Sequence, residues 1–233
     1  MSFDLPRGRA LATVGLVLAA LAWDASGLDL PAARWFGGPA GFPLKQDWFL
    51  EAVMHEGGRI LSWIVVLTLT LGIWWPVGAL RRIDAARRLQ LVATVLLAVL
   101  AVSSIKALSR TSCPWDLSAF GRAAHYVSHW ALGTQDGGSG RCFPAGHASA
   151  GFAFLGGYFA FVDTDLRLAR RWLAGATLAG IAFGLAQQAR GAHFMSHTVW
   201  TGVLCWCVAY GVDGLRRVAW LPDNEEVEGE TVV

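Results

Sequence analysis

The chain's chemical capacity lies in six histidines and a few cations, and their spacing sorts them into groups. Lys106 and Arg110 are four apart, so on a helix they share one face. Two cations side by side near hydrocarbon repel each other, and an anion between them would relieve that strain; snorkelling of both to lipid headgroups is the plainer alternative. The run Cys142-Phe143-Pro144-Ala145-Gly146-His147-Ala148-Ser149 leads straight into an apolar stretch. Pro near a first turn starts helices, and free amides at a helix N-terminus bind phosphate. Ala145 and Gly146 are therefore candidate phosphate-binding backbone, with His147 at the mouth to protonate a leaving oxygen. In Arg190-Gly191-Ala192-His193-Phe194-Met195-Ser196-His197, the two histidines again stand four apart. An imidazole attacks phosphorus when a partner on its other nitrogen fixes the tautomer. Arg190 brings a fork suited to phosphoryl oxygens.

His125 and His129 form a third such pair, between Cys113 and Cys142. They could hold a metal, but the cysteines lack C-x-x-C spacing, and in an oxidising compartment a Cys113–Cys142 disulfide is favoured. Cys205 and Cys207 read as packing residues of the last apolar segment.

Long apolar segments must position these groups. Of 233 residues, 55% are hydrophobic and only 15% charged, against about 25% charged in soluble domains. Twelve Trp fit a chain with membrane–water interfaces. A net charge of +2 is too small to argue for nucleic acid. A span needs roughly 20 apolar residues, and six stretches come near that, at about 9–25, 58–79, 89–107, 146–163, 172–190 and 195–214. Backbone polar groups in lipid must be satisfied within the segment, so these are helices. The expectation is an all-α polytopic membrane protein. Six transmembrane helices form one bundle over residues 1–220, an acidic disordered tail covers 221–233, and Asp47 to His55 forms a short interfacial helix. The first segment runs into Trp23-Asp24 without a small-residue cleavage pattern and reads as a retained helix.

Arg7, Arg9, Arg81, Arg82, Arg87, Arg88, Arg167, Arg170, Arg171, Arg216 and Arg217 all fall on one side of this layout. The positive-inside rule makes that side cytoplasmic, with the connections 26–57 and 108–145 outside. All six histidines then lie on the outer face, with Lys106, Arg110, Arg141 and Arg190, whereas chance would scatter them over both.

Three outer segments in this order resemble the type-2 phosphatidic acid phosphatase family of integral membrane enzymes. That family shares its site with bacterial acid phosphatases and vanadium haloperoxidases. Its pattern is Lys, six residues, Arg-Pro; then Pro-Ser-Gly-His; then Ser-Arg, five residues, His, three residues, Asp. Here six residues separate Lys106 from Cys113-Pro114, Pro144-Ala145-Gly146-His147 follows, and three residues separate His193 from His197. The resemblance covers about residues 100–200 and the six-helix layout. Four positions depart from it: Cys113 stands for the first Arg, Ala145 for Ser, Gln187 for the second Arg, and His197 for the Asp. Arg110 and Arg190 lie about one helical turn from the missing cations. A neutral His197 accepts a hydrogen bond from His193 but does not stabilise an imidazolium as a carboxylate does. Asp116, Asp136 and Glu51 are candidates to supply one.

The resemblance implies a metal-independent lipid phosphatase without a cofactor, acting on a lipid phosphomonoester or diphosphate among membrane lipids. His193 is the nucleophile, His147 the acid and then the base, and His197 the partner of His193. Lys106, Arg110, Arg190 and the Ala145–Gly146 backbone hold the phosphate. A bacterial inner membrane is implied, with the site facing the periplasm and both termini cytoplasmic. Set against this are a lipid phosphotransferase using the same site and a weakened protein that binds lipid or metal.

Overall fold

A computed structural model describes residues 6–219; the expected acidic tail lies outside the described residues. The described chain is helical. It comprises α1 (Pro6–Ser26), α2 (Asp29–Ala33), α3 (Gly58–Leu71), α4 (Ala85–Leu108), α5 (Ser149–Phe152), α6 (Gly156–Phe161), α7 (Leu166–Ala189) and α8 (Met195–Ala219). Local chemistry sets several ends. Asp84 accepts the Arg87 N–H at 2.8 Å to start α4, and Asp165 accepts the Leu168 N–H at 3.0 Å to start α7. Gly191, with φ +78°, turns the chain sharply between α7 and α8.

Among the described residues, four helices are long and apolar enough to cross a membrane: Arg7–Ser26, Phe49–Leu71, Ala85–Leu108 and Met195–Val218. Leu11, Leu18, Ile60, Trp63, Ile64, Leu67 and Leu100 on these helices are exposed. In water such apolar faces would be a liability; in lipid they are the expected surface. Six spans are not reached by length and composition. The segment expected at 146–163 is a succession of short pieces, with 3₁₀ turns at Gly146–Ala148 and Ala153–Leu155 flanking α5 and leading into α6. It is the centre of the bundle and is almost wholly buried. α7 has the length, but Arg167, Arg170 and Arg171 crowd its first turns.

The expected interfacial helix at Asp47–His55 is also corrected. Phe49–Gly57 forms wide π-helical turns that continue directly into α3, so it opens a long helix. Trp48, Phe49 and Val53 do point outward, while the wide turns aim His55 inward.

Small residues let the central segment sit deep. A Cβ on Gly151 would lie 2.1 Å from the Gly180 backbone N, and one on Gly157 would lie 2.1 Å from the Trp172 indole N. Close approach at small residues is how helices associate in lipid, where apolar burial drives little. α4 and α1 pack on α8, and α7 covers α5 and α6. The connections 27–48 and 109–145 close one end over a second small core of Ala33, Phe42, Leu117, Phe120, Ala124 and Phe194. A Cys113–Cys142 disulfide ties that cap across 29 residues of chain.

The two ends of the bundle differ in chemistry. At one, Arg9 and Arg217 meet Asp213 at 3.3 and 2.7 Å, and Arg87 and Arg217 meet Asp163 at 2.8 and 2.7 Å. At the other end, where α4 stops and α8 begins, lie the histidines.

Candidate active site

Lys106 stands in the last turn of α4. Its stem passes beside Gly146, where a Cβ would lie 3.6 Å from the lysine Cδ. His147 sits in the first turn of the central segment, and its ring lies over that of His55, with centroids 3.8 Å apart. His55 Nδ1 is in turn 2.9 Å from Glu56 Oε1. Lys106, Arg190 and His55 are all close enough to His147 to act on its charge.

Arg190 closes α7 and is buried. Its Nε donates to the Lys45 carbonyl at 3.0 Å, and its guanidinium stands 3.4 Å from Glu51 Oε1. Glu51 is thus committed to the arginine and does not serve the histidines. Asp116 and Asp136 do not serve them either, for Asp116 accepts from Ser139 and Asp136 from Ser112.

His193 lies in the link before α8, and His197 in the first turn of that helix. Both are buried, and their Nδ1 atoms are 3.4 Å apart. The pair meets although His193 is outside the helix, so tertiary packing and the Gly191 turn bring them together. Burial, reinforced by Lys106, His197 and His147, holds His193 well below the ordinary histidine range, so the ring is neutral at pH 7. A neutral imidazole keeps its lone pair and can act as a nucleophile. Cys142 Sγ is 3.6 Å from His193 Nδ1. Cys142, His193 and His197 bring potential metal-ligand atoms within 4.8 Å of one another, but that sulfur is spent on the disulfide and is no thiolate.

Two expected phosphate ligands are placed otherwise. α4 ends at Leu108 and Ser109 is extended, so Arg110 has left the helix and no longer shares a face with Lys106. Its guanidinium donates to the Gly133 carbonyl at 3.3 Å. The Ala145 N–H donates to the His197 carbonyl at 3.2 Å and is not free for a phosphate. His125 and His129 are not a pair, because their segment is not helical. His125 is exposed, whereas His129 stacks on Phe143 with centroids 4.1 Å apart and meets the His197 ring edge-on at 5.9 Å.

Sequence reasoning overlooked the part played by the N-terminal third. Asp29 of α2 accepts the Ser196 N–H at 2.9 Å, and the Ser196 hydroxyl too, thereby capping α8 from another element. Asp24 accepts indole N–H groups from Trp130 and Trp200 at 2.8 and 2.7 Å and stands 3.4 Å from His129 Nε2. These contacts cross more than a hundred residues and leave no signature in spacing.

The site therefore combines a neutral buried imidazole, a second histidine able to exchange a proton, and two cations, Lys106 and Arg190. A family model described as the PAP2 superfamily matches residues 87–217, which include Lys106, His147, His193 and His197. No curated protein and no solved structure matches the chain. The match covers more than half of the sequence and carries the histidine pair together with the central segment, so the chain belongs to the PAP2 superfamily.

Proposed function

We propose that this protein is an integral membrane phosphatase that hydrolyses a lipid phosphomonoester or diphosphate through a phosphohistidine on His193. Membership of the PAP2 superfamily supports phosphatase chemistry, and the apolar helices fit a membrane protein. The observation that carries the lipid reading is a cavity of about 160 Å³ between α3, α4 and the central segment. His147, Gly146 and Arg59 line it together with Trp63, Val95 and Phe154. An acyl or prenyl chain lying there would bring its phosphate to the histidines.

In the proposed cycle, His193 attacks phosphorus with the nitrogen that does not face His197. The P–O bond to the lipid breaks as the P–N bond forms, and His147, which takes up a proton once the anionic phosphate offsets the neighbouring cations, gives that proton to the leaving oxygen. Water then attacks the phosphohistidine, His147 takes the water's proton, and the P–N bond breaks to release phosphate. Lys106, Arg190 and the Gly146 amide neutralise the oxygens where charge builds, usually the largest catalytic term. The positive-inside rule, applied to the arginine-rich end, supports a site on the periplasmic face of a bacterial inner membrane with both termini cytoplasmic. In that orientation the central segment and α7 complete six crossings.

The test is phosphate release from a panel of lipid phosphates and diphosphates in detergent, with chelator present. Chelator-resistant release that disappears in His193→Ala supports the reading. Undiminished release from that variant refutes it, and release only with an added lipid acceptor identifies a phosphotransferase.

A further inference from the structure

When His193 takes a phosphoryl group its ring becomes cationic, and a buried cation needs a compensating charge. The group next to it, His197, is a buried imidazole, which carries no negative charge and supplies none. Lys106 and Arg190 have the wrong sign. A carboxylate does lie farther along the same line of contacts. His193 Nδ1 is 3.4 Å from His197 Nδ1, the His197 ring meets His129 edge-on at 5.9 Å, and His129 Nε2 is 3.4 Å from Asp24 Oδ2. Asp24 and His129 have nearly buried side chains, at 11% and 5% exposure, so the field of the carboxylate is little screened there. We propose that Asp24, acting through His129 and His197, is the carboxylate that stabilises the charge on phosphorylated His193. Asp24 is thus a positioning residue, and the proposal rests on the phosphohistidine reading above.

Three features favour an electrostatic part over mere packing. The Trp130 and Trp200 indoles both converge on Asp24 Oδ2 and hold the carboxylate in place. His129 is fixed by its stack on Phe143. Its ring is pulled down by burial but up by Asp24 and then Asp29, so it already feels both carboxylates. Asp24 and Asp29 also lie before residue 87, outside the segment that the family model covers. The carboxylate comes from the end of α1, which folds back over the start of α8.

The substitutions separate charge from shape. Asp24→Asn keeps an oxygen for both indoles and removes the charge. His129→Phe keeps the ring stack and removes the polar link. The probe is inorganic phosphate labelled with ¹⁸O, incubated with the full-length protein in detergent. A reversible phosphohistidine exchanges that label with water whatever the natural lipid is. The wild-type protein exchanges and His193→Ala does not. Asp24→Asn slows exchange by roughly 10- to 100-fold, as loss of a group that orients a reacting histidine from behind does. The half-saturating phosphate concentration stays within about threefold, because the cations that bind phosphate are untouched. Asp24→Glu recovers most of the rate. His129→Phe matches Asp24→Asn, and the double variant loses no more than either, since residues acting as one unit are not additive.

Wild-type rates in both single variants would overturn the proposal while leaving the phosphohistidine reading intact. Losses that multiply in the double variant would overturn the route through His129. An absence of exchange in the wild-type protein would remove the phosphohistidine reading and this inference together. If Asp24→Asn fails to fold, His129→Phe and Asp24→Glu carry the same decision.

Discussion

The central segment crosses α7 with Gly151 directly over Gly180. A Cβ added at Gly151 would lie 2.1 Å from the Gly180 N and 2.5 and 2.6 Å from the carbons on either side of it. All three atoms are backbone, so no side chain can swing away, and the central segment must lift off α7 by about 1 Å. Overpacking of this kind costs about 1–3 kcal/mol. The displacement also reaches His147, one turn earlier on the same segment. A misplacement of about 1 Å in a reacting group can cost roughly 100-fold in rate. Gly151→Ala should therefore lower both the unfolding midpoint and the rate of phosphate release, with stability measured by denaturant unfolding in detergent. Gly175 is the control, because a Cβ there meets nothing within 4 Å. Gly175→Ala should be neutral or more stable by up to about 1 kcal/mol, since alanine favours the helix. If the two variants behave alike, the close crossing does not set the position of His147.

Two further predictions follow from charge. The depressed proton affinity of His193 means that the unfolded chain binds a proton there at a pH where the folded chain does not. Stability should thus be flat above about pH 6.5 and decline as pH falls below it, by up to about 1.4 kcal/mol per pH unit for this group. Unfolding at pH 7.5 and 5.5 in the wild type and His193→Asn checks the sign, and an equal slope in both refutes it. Lys106→Met should lower kcat by roughly 10²- to 10³-fold, as expected for a group facing the developing charge. Arg110→Met should cost less than about threefold, because the Arg110 guanidinium is turned to the Gly133 carbonyl; a comparable loss in both would restore Arg110 to the site.

What the sequence determined by itself was whatever depends on composition and on local order. Long apolar runs with few charges must form helices in lipid, so α1, α4 and α8 were legible within a few residues. The gathering of the histidines at one end of the bundle was legible too, because loops alternate between the two ends. Gly146-His147 and the His193–His197 pair could be picked out, since each carries its chemistry within a few residues.

Tertiary structure decided whatever depends on distance between segments. His55 reaches His147 because the wide turns at Phe49–Gly57 rotate it inward, and hydropathy does not encode such a turn. Arg110 was lost because four-residue spacing aligns side chains only while the helix lasts, and α4 stops at Leu108. The pairing of His125 with His129 failed for the same reason. Asp24 and Asp29, far off in sequence, stand beside the histidine pair because α1 and α2 pack on α8. Spacing carries information over a few helical turns; beyond that, only packing brings two side chains together.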